Sequence, residues 1–218
     1  MARPAQGYKN QAGKKVPGTT TIISRFKDSG GLLFWAFKQG QSGAQTLYEE
    51  RDKAAEAGTL AHDMIEAFIL SHPAPDLTTI NPQIAERANN AFAQFREWWE
   101  QTRIEIVATE RAYVSERYQF GGTVDAIGRD TKGRIVLVDW KTSNSVYMDY
   151  LIQLGAYGLL LEECVPEWKP EAFHLLRVAK ESADFAHHFY GELEDAKAQF
   201  ILFRQAYDID ARLKKRAA

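Results

Sequence analysis

The sequence predicts an α/β (α+β) fold in which helices cover both faces of a central β-sheet. Helical and strand periods follow one another in the order helices, three strands, helix, two strands, helix. Residues 135–138, Ile-Val-Leu-Val, have no polar face, which is typical of a strand buried on both sides. A chain of 218 residues with 45% hydrophobic residues can bury one core of this kind. We therefore expect a single compact domain.

Two amphipathic helices are predicted ahead of the sheet. Apolar residues recur every three or four positions in residues 54–71 and again from Pro82 to about Gln101. Residues 32–38, Leu-Leu-Phe-Trp-Ala-Phe-Lys, predict a short helix packed into the core. His62 and Glu66 are four residues apart, so they share one face of the first amphipathic helix.

The predicted strands form two groups. Residues 104–114, 119–129 and 134–141 are rich in Val, Ile, Thr and Tyr and predict three consecutive antiparallel strands. A helix over residues 147–163 separates them from a strand pair at 172–178 and 184–190, and a last helix is predicted from Leu193 to about Leu213. No internal repeat and no long linker divides the chain.

Both ends of the chain are basic. Arg3, Lys9, Lys14 and Lys15 meet no acidic residue in the first 27 positions, and four cations crowd the C-terminus: Arg212, Lys214, Lys215 and Arg216. We expect a flexible basic arm over residues 1–18, the domain over 19–213, and a basic tail over 214–218. Either end is suited to phosphate contacts.

Composition excludes several classes of protein. A net charge of −2 argues against nonspecific coating of nucleic acid, so any DNA contact must be local. Cys164 is the single cysteine, which excludes an internal disulfide and a cysteine-ligated zinc or iron–sulfur site within this chain. No apolar stretch approaches the ~18 residues that span a bilayer, and the N-terminus lacks the apolar segment of a signal peptide. We expect a soluble cytoplasmic protein, in the host cytoplasm if a phage encodes it.

The most informative residues lie on two neighbouring strands. Asp139 and Lys141 share one side of their strand, and Trp140 faces the other side. A three-residue loop over 131–133, with Gly133 left-handed, would pair Asp125 with Asp139, their carboxylates ~5 Å apart. Such carboxylates repel unless a cation or a proton lies between them. The arrangement predicts an Mg²⁺ or Mn²⁺ site, beside which Lys141 can stabilise charge on an attacked phosphate.

A plainer interpretation is a diagonal surface ion pair between Asp125 and Lys141, because short patterns of common residues often occur by chance. Further motifs argue against it. They are, in chain order, Pro-Gly-Thr-Thr-Thr-Ile-Ile at 17–23 with Leu-Phe-Trp-Ala at 33–36, Ala-Gly-Thr-Leu-Ala-His at 57–62 leading to Glu66, Glu110, Gly-Thr-Val-Asp at 122–125, Asp-Trp-Lys at 139–141, and Gln-Leu-Gly-Ala-Tyr at 153–157.

Together these motifs resemble the PD-(D/E)xK nuclease superfamily, and within it the RecB-like exonuclease branch, in its phage-type form without an iron–sulfur cluster. The resemblance covers most of the chain. It implies a mixed sheet flanked by helices, with a restriction-endonuclease-like core. It also implies that His62, Asp125, Asp139 and the Trp140 carbonyl bind one or two metal ions, and that Lys141 serves catalysis.

Four further residues have two interpretations each. Glu66 either orients His62 or caps a buried polar patch. Glu110 either reaches the cleft, holding a second metal or a water, or pairs with Arg111 or Arg117. Gln153 and Tyr157 either contact phosphate or a nucleotide edge, or form a polar stripe on a surface helix.

The sequence thus predicts a metal-dependent deoxyribonuclease, and the resemblance implies exonuclease action in DNA recombination, repair or replication. Two rivals stay open. One is a DNA-binding subunit with this fold in a recombination assembly, and the other is a catalytically silent DNA-binding module. DNA is the expected partner, with a recombination or single-strand-binding protein as a further candidate.

Overall fold

A computed structural model describes residues 4, 6–27, 30–41, 47–143, 145–180, 182 and 184–217 of the chain. The helices are α1 (Thr19–Phe26), α2 (Gly30–Gln41), α3 (Leu47–Ile69), α4 (Pro82–Thr102), α5 (Met148–Cys164) and α6 (Glu194–Ala217), with a 3-10 turn at Pro166–Trp168. The strands are β1 (Tyr8–Lys9), β2 (Lys15–Val16), β3 (Glu105–Ser115), β4 (Phe120–Arg129), β5 (Ile135–Thr142), β6 (Ala172–Val178) and β7 (Phe185–Tyr190).

The central sheet has five strands in the order β3-β4-β5-β6-β7. Strands β5 and β6 run parallel, and all other neighbours in this sheet are antiparallel. Helix α5 supplies the crossover that a parallel pair requires. The predicted fold class, a mixed sheet flanked by helices, is confirmed.

The turn between β4 and β5 sets the predicted register. Gly133 is left-handed with φ of 80°, and the Asp130 N–H donates to the Arg134 carbonyl at 3.1 Å. The ladder runs from Arg129 opposite Ile135 to Ala126 opposite Val138 and ends there. Strand β5 stays paired with β6 as far as Thr142. The sheet therefore opens between β4 and β5 at the level of Asp125 and Asp139.

Two hydrophobic clusters cover the two faces of the sheet. The first contains buried residues of α5 and α6, such as Leu160 and Phe200, and the second contains residues of α3 and α4, such as Ile65 and Phe95. Val124 belongs to the first cluster, whereas Ala126 belongs to the second. Residues two apart on a regular strand share a face. The alternation is therefore broken at Asp125.

The N-terminal segment differs from the flexible arm that we expected. Strands β1 and β2 form a hairpin, and the Tyr8 hydroxyl hydrogen-bonds to Thr123 Oγ1 at 3.0 Å. Gly121 makes room for the Tyr8 ring, and its N–H donates to the Pro17 carbonyl at 3.0 Å. The missing side chain at Gly121 is what lets residues 8–17 dock. The basic tail also differs, because helix α6 continues to Ala217.

The aromatic segment at residues 32–38 is helical, but its predicted core position is wrong for three side chains. Leu33, Phe34 and Phe37 are 67%, 60% and 62% exposed. The sequence pattern gave no sign of this, because a cluster of large apolar residues normally indicates burial. None of the helices in the described part of the chain combines the length and the hydrophobicity of a membrane-spanning segment.

Candidate active site

His62 lies in the middle of α3, on the side that packs against β5. Its ring is buried, and its Nδ1 accepts a hydrogen bond of 3.0 Å from the Trp140 indole N–H. Gly58, one turn earlier, brings the helix close to the strand, since a Cβ at this position would lie 2.7 Å from Thr142 Oγ1. The absence of a side chain at Gly58 therefore makes room for the Thr142 side chain of β5.

His62, Glu110 and Asp125 form one group of metal-binding side chains. One ligand atom from each lies within 4.8 Å of those from the other two. Glu110 has a left-handed backbone, with φ of 49°, in the middle of β3. The neighbouring pairs, Thr109 with Ala126 and Arg111 with Val124, place Glu110 opposite Asp125. A strained conformation of this kind persists only where the surrounding structure enforces it.

Asp139 and Lys141 are beside this group, on the side of β5 opposite to the Trp140 ring. The Lys141 ammonium lies 2.7 Å from Asp139 Oδ1 and 2.6 Å from Oδ2. Asp125 links the two parts of the site, because its Oδ2 accepts from the Trp140 N–H at 3.4 Å and its carboxyl group contacts that of Asp139. Both aspartates are buried, which excludes the surface ion pair.

The pKa values of the site follow from burial and crowding. Burial raises the pKa of Asp125, and burial together with the charge of Asp125 raises the pKa of Asp139 to about 7 despite Lys141. Burial alone would lower the pKa of Lys141, but the nearby Asp139 and Asp125 outweigh it, so the pKa of Lys141 is raised. Burial, and then the charge of Lys141, lowers the pKa of His62 to about 4. Near neutral pH the imidazole is therefore uncharged, the form that binds metals.

Gln153 and Tyr157 lie one turn apart on α5 and interact directly. The Gln153 amide donates to the Tyr157 hydroxyl at 2.7 Å. Tyr157 is 4% exposed and contacts the position of Gly122, where a Cβ would lie 2.8 Å from its ring. Burial, followed by the charges of Asp125 and Asp139, raises the pKa of Tyr157 well above its ordinary value. The pair therefore adjoins the carboxylates, with Gln153 the more accessible member.

The structure brings most of the predicted site residues together, in two parts. His62, Asp125 and Glu110 meet on one side, while Asp139 and Lys141 contact each other on the other. Within the described part of the chain, the hydrogen bond that orients His62 comes from Trp140 and not from Glu66. This role of the Trp140 side chain was not predicted from the sequence, although the predicted direction of the ring, away from Asp139, was compatible with it.

Comparison with known proteins identifies the family. A family model for the PD-(D/E)XK nuclease superfamily matches residues 33–212. The chain belongs to the PD-(D/E)XK nuclease superfamily. A search of curated protein sequences found no match.

Solved structures similar to this nuclease include two exonucleases. A putative exonuclease from Eubacterium rectale is 13% identical with a TM-score of 0.45, and the match covers 69% of this chain and 68% of that one. The alkaline exonuclease LHK-Exo from Laribacter hongkongensis is 12% identical with a TM-score of 0.42, covering 76% of this chain and 90% of that one.

The donor set of this nuclease fits a divalent cation. Two carboxylates and an uncharged imidazole gather at Asp125, Glu110 and His62. Burial raises the pKa of both Asp125 and Asp139 although Lys141 lies beside them, so the two carboxyl groups together favour a further cation or a proton. Oxygen-rich donor sets of this kind suit hard cations. The Trp140 carbonyl as a further ligand stays a prediction.

Proposed function

We propose that this nuclease hydrolyses DNA phosphodiester bonds in the presence of Mg²⁺ or Mn²⁺, and that it acts as an exonuclease. The observation that carries the proposal is the gathering of His62, Glu110 and Asp125 within 4.8 Å, directly beside the Asp139–Lys141 pair. The resemblance to RecB-like exonucleases supports the choice of DNA ends and a role in recombination, repair or replication.

Each group has a distinct task in this proposal. His62, Glu110 and Asp125 would hold one or two cations, with Asp139 completing the set. A bound cation supplies Lewis-acid stabilisation of a phosphate and lowers the pKa of a water. The Lys141 ammonium has three N–H donors, and its hydrogen bond to Asp139 does not use all of them. A phosphate oxygen can therefore accept a further hydrogen bond from Lys141. Its ammonium would stabilise the charge that grows on the attacked phosphate.

Two further features support this chemistry, namely the burial of the charged groups and the Gln153 side chain on α5. The low-dielectric surroundings of Asp139 and Lys141 strengthen each of these charge interactions relative to water. Gln153 lies at the more accessible end of its hydrogen bond to Tyr157, where its amide can bind a phosphate or a nucleotide edge.

The first test is cleavage of end-labelled linear duplex, circular duplex and single-stranded DNA with Mg²⁺, Mn²⁺ or EDTA. We expect metal-dependent loss of the substrates that have ends. Asp139→Asn and Lys141→Ala should each lower turnover by about 10²-fold or more, since each removes a charge from the reacting centre. Lys132→Ala, in the exposed β4–β5 turn, is the matched control and should cleave normally.

Three outcomes would contradict parts of the proposal. Cutting of circular DNA would mean an endonuclease. Full turnover of both Asp139→Asn and Lys141→Ala would refute the site assignment. Folded wild-type protein that cuts nothing under any condition would instead be the silent module or a partner-dependent subunit.

A further inference from the structure

A basic cleft lies at the far end of β4 from the carboxylates. It has a volume of about 460 Å³ between the β2 strand, the β3–β4 turn and α6. Four cations line it, namely Lys14, Lys15, Arg117 and Arg204, against one carboxylate, Asp208. By contrast, the cavity of about 520 Å³ beside α3 is lined by Glu56 and Asp63 and by no lysine or arginine.

Three of the four cations are available to a ligand. Within the described residues, Lys14, Lys15 and Arg117 form no ion pair, and all three are exposed. Arg204 is fixed in the wall instead, because its Nε donates to the Gln119 carbonyl at 3.1 Å and its Nη1 lies 2.6 Å from Asp208. The carboxylate in the cleft is therefore already neutralised.

The carboxylates around the cleft are also engaged. Glu116 accepts from the Gln11 N–H at 2.7 Å, and Glu163 accepts from the Arg117 N–H at 2.9 Å and from Ser115. Asn10 donates to the Gln119 side chain at 2.8 Å, which fastens the hairpin to the β3–β4 turn. The two lysines are thus held at the cleft by an ordered hairpin, although its sequence suggested a loose arm.

We propose that this cleft binds the phosphodiester backbone of the nucleic acid that the nuclease cleaves, away from the scissile bond. The proposal rests on the proposed function. Asp125 is six residues along the chain from Gln119 in the cleft, which corresponds to about 20 Å of extended strand. This equals about six base-pair steps of duplex DNA at 3.4 Å each. Cations that neutralise phosphates at this distance add affinity and orient the strand without reading its sequence.

The salt dependence of binding tests the cleft separately from catalysis. Binding of a labelled 30-base-pair duplex and of a single strand of equal length is measured in EDTA over a range of salt concentrations. We expect Lys14→Ala/Lys15→Ala to weaken binding and to lower the slope of log affinity against log salt by about 0.9 per lost contact on duplex, or about 0.7 on single strands. Arg117→Gln should lower this slope by the amount that corresponds to one lost phosphate contact.

The matched control is Lys132→Ala/Lys169→Ala, which removes the same charge from two exposed positions elsewhere and should keep the wild-type slope. The Mn²⁺ affinity of all variants should equal that of wild type, because no metal-binding side chain is changed. Their thermal unfolding should also be unchanged, because every substituted side chain is exposed. A reduced slope on duplex, on single strands or on both supports the cleft and shows which form it binds.

Equal slopes for Lys14→Ala/Lys15→Ala, the control and wild type would overturn the inference while leaving the proposed function intact. Wild-type protein that neither binds nor cuts DNA would instead contradict the proposed function itself. Arg204 is left unchanged because its hydrogen bond to the Gln119 carbonyl also joins α6 to the β3–β4 turn.

Discussion

At the scale of single residues, the Trp140–His62 hydrogen bond fixes which imidazole nitrogen carries the proton. An indole N–H can only donate, so His62 Nδ1 is the acceptor, and the uncharged ring carries its proton on Nε2. A cation bound at Nε2 must displace that proton. If the proton moves to Nδ1, the ring loses the bond to Trp140. In the ring orientation that the structure shows, metal binding at Nε2 and the hydrogen bond from Trp140 therefore compete.

We expect Trp140→Phe to bind Mn²⁺ more tightly than wild type, by roughly fivefold if the lost bond contributes about 1 kcal/mol. The Phe ring keeps most of the packing against Phe95, which lies 5.6 Å away between ring centroids. Isothermal titration calorimetry measures the affinity, and His62→Ala, which should bind more weakly, is the control. Weaker binding by Trp140→Phe would show that the indole holds His62 in place for the metal.

The sequence correctly predicted that Asp125, Asp139 and Lys141 lie close together, because strand period and loop length fix their relative positions. Their roles in metal binding and catalysis stay predictions. It left Glu110 undecided, because a left-handed glutamate inside a strand has no sequence signature. The bond between Trp140 and His62 joins residues 78 positions apart, and spacing rules do not reach across that distance.

At the scale of elements, close backbone approaches position the helices that carry the site. Gly155 of α5 lies against the first turn of α6, where a Cβ would meet the Lys197 nitrogen at 2.8 Å and the Ala196 carbonyl carbon at 2.9 Å. Backbone atoms of α6 cannot rotate away as a side chain would. The glycine between Gln153 and Tyr157 is therefore required for docking α6 against α5.

We expect Gly155→Ala to destabilise the protein by about 1–3 kcal/mol, since the helices must separate to admit the methyl group. Gly40→Ala is the matched control, because Gly40 is also helical but has no atom within 4 Å of the added Cβ. The gain in helix propensity, up to about 1 kcal/mol, should leave that variant at least as stable as wild type. Urea denaturation of both variants measures the difference, and equal stability would contradict the tight contact.

The bounds of α4, α5 and the five strands of the central sheet follow the sequence prediction within one or two residues. These elements have strong periods and clear turn residues. The β1–β2 hairpin was missed because two-residue strands carry no period of their own. Its docking depends on Gly121, more than a hundred residues away.

At the scale of the whole molecule, buried histidines make stability depend on pH. His174 on β6 faces His187 on β7, with Nδ1 and Nε2 2.8 Å apart. Burial, and then His187, lowers the pKa of His174 to about 4, with smaller effects of Asp130 and Arg134. An unfolded histidine titrates near 6.5. Between pH 4 and 6.5 the unfolded chain therefore binds more protons, and the free energy of unfolding falls as the pH falls.

We expect His174→Asn to lose less stability than wild type between pH 6.5 and pH 4, because Asn cannot titrate and can still bond His187. Chemical denaturation at several pH values gives the comparison. The buried Asp125 and Asp139 act in the opposite direction in both proteins, so their contribution cancels in the difference. Parallel curves for the two proteins would contradict the depressed pKa of His174.

The attachment of the N-terminal hairpin to β4 also determines when that part of the chain can fold. Tyr8 is synthesised 115 residues before Thr123, its hydrogen-bond partner. Contacts so distant in sequence form slowly, because a long loop must close before they contribute. The hairpin therefore has no docking surface until β4 has left the ribosome. Residues 8–16 are thus made before the strand surface against which they pack.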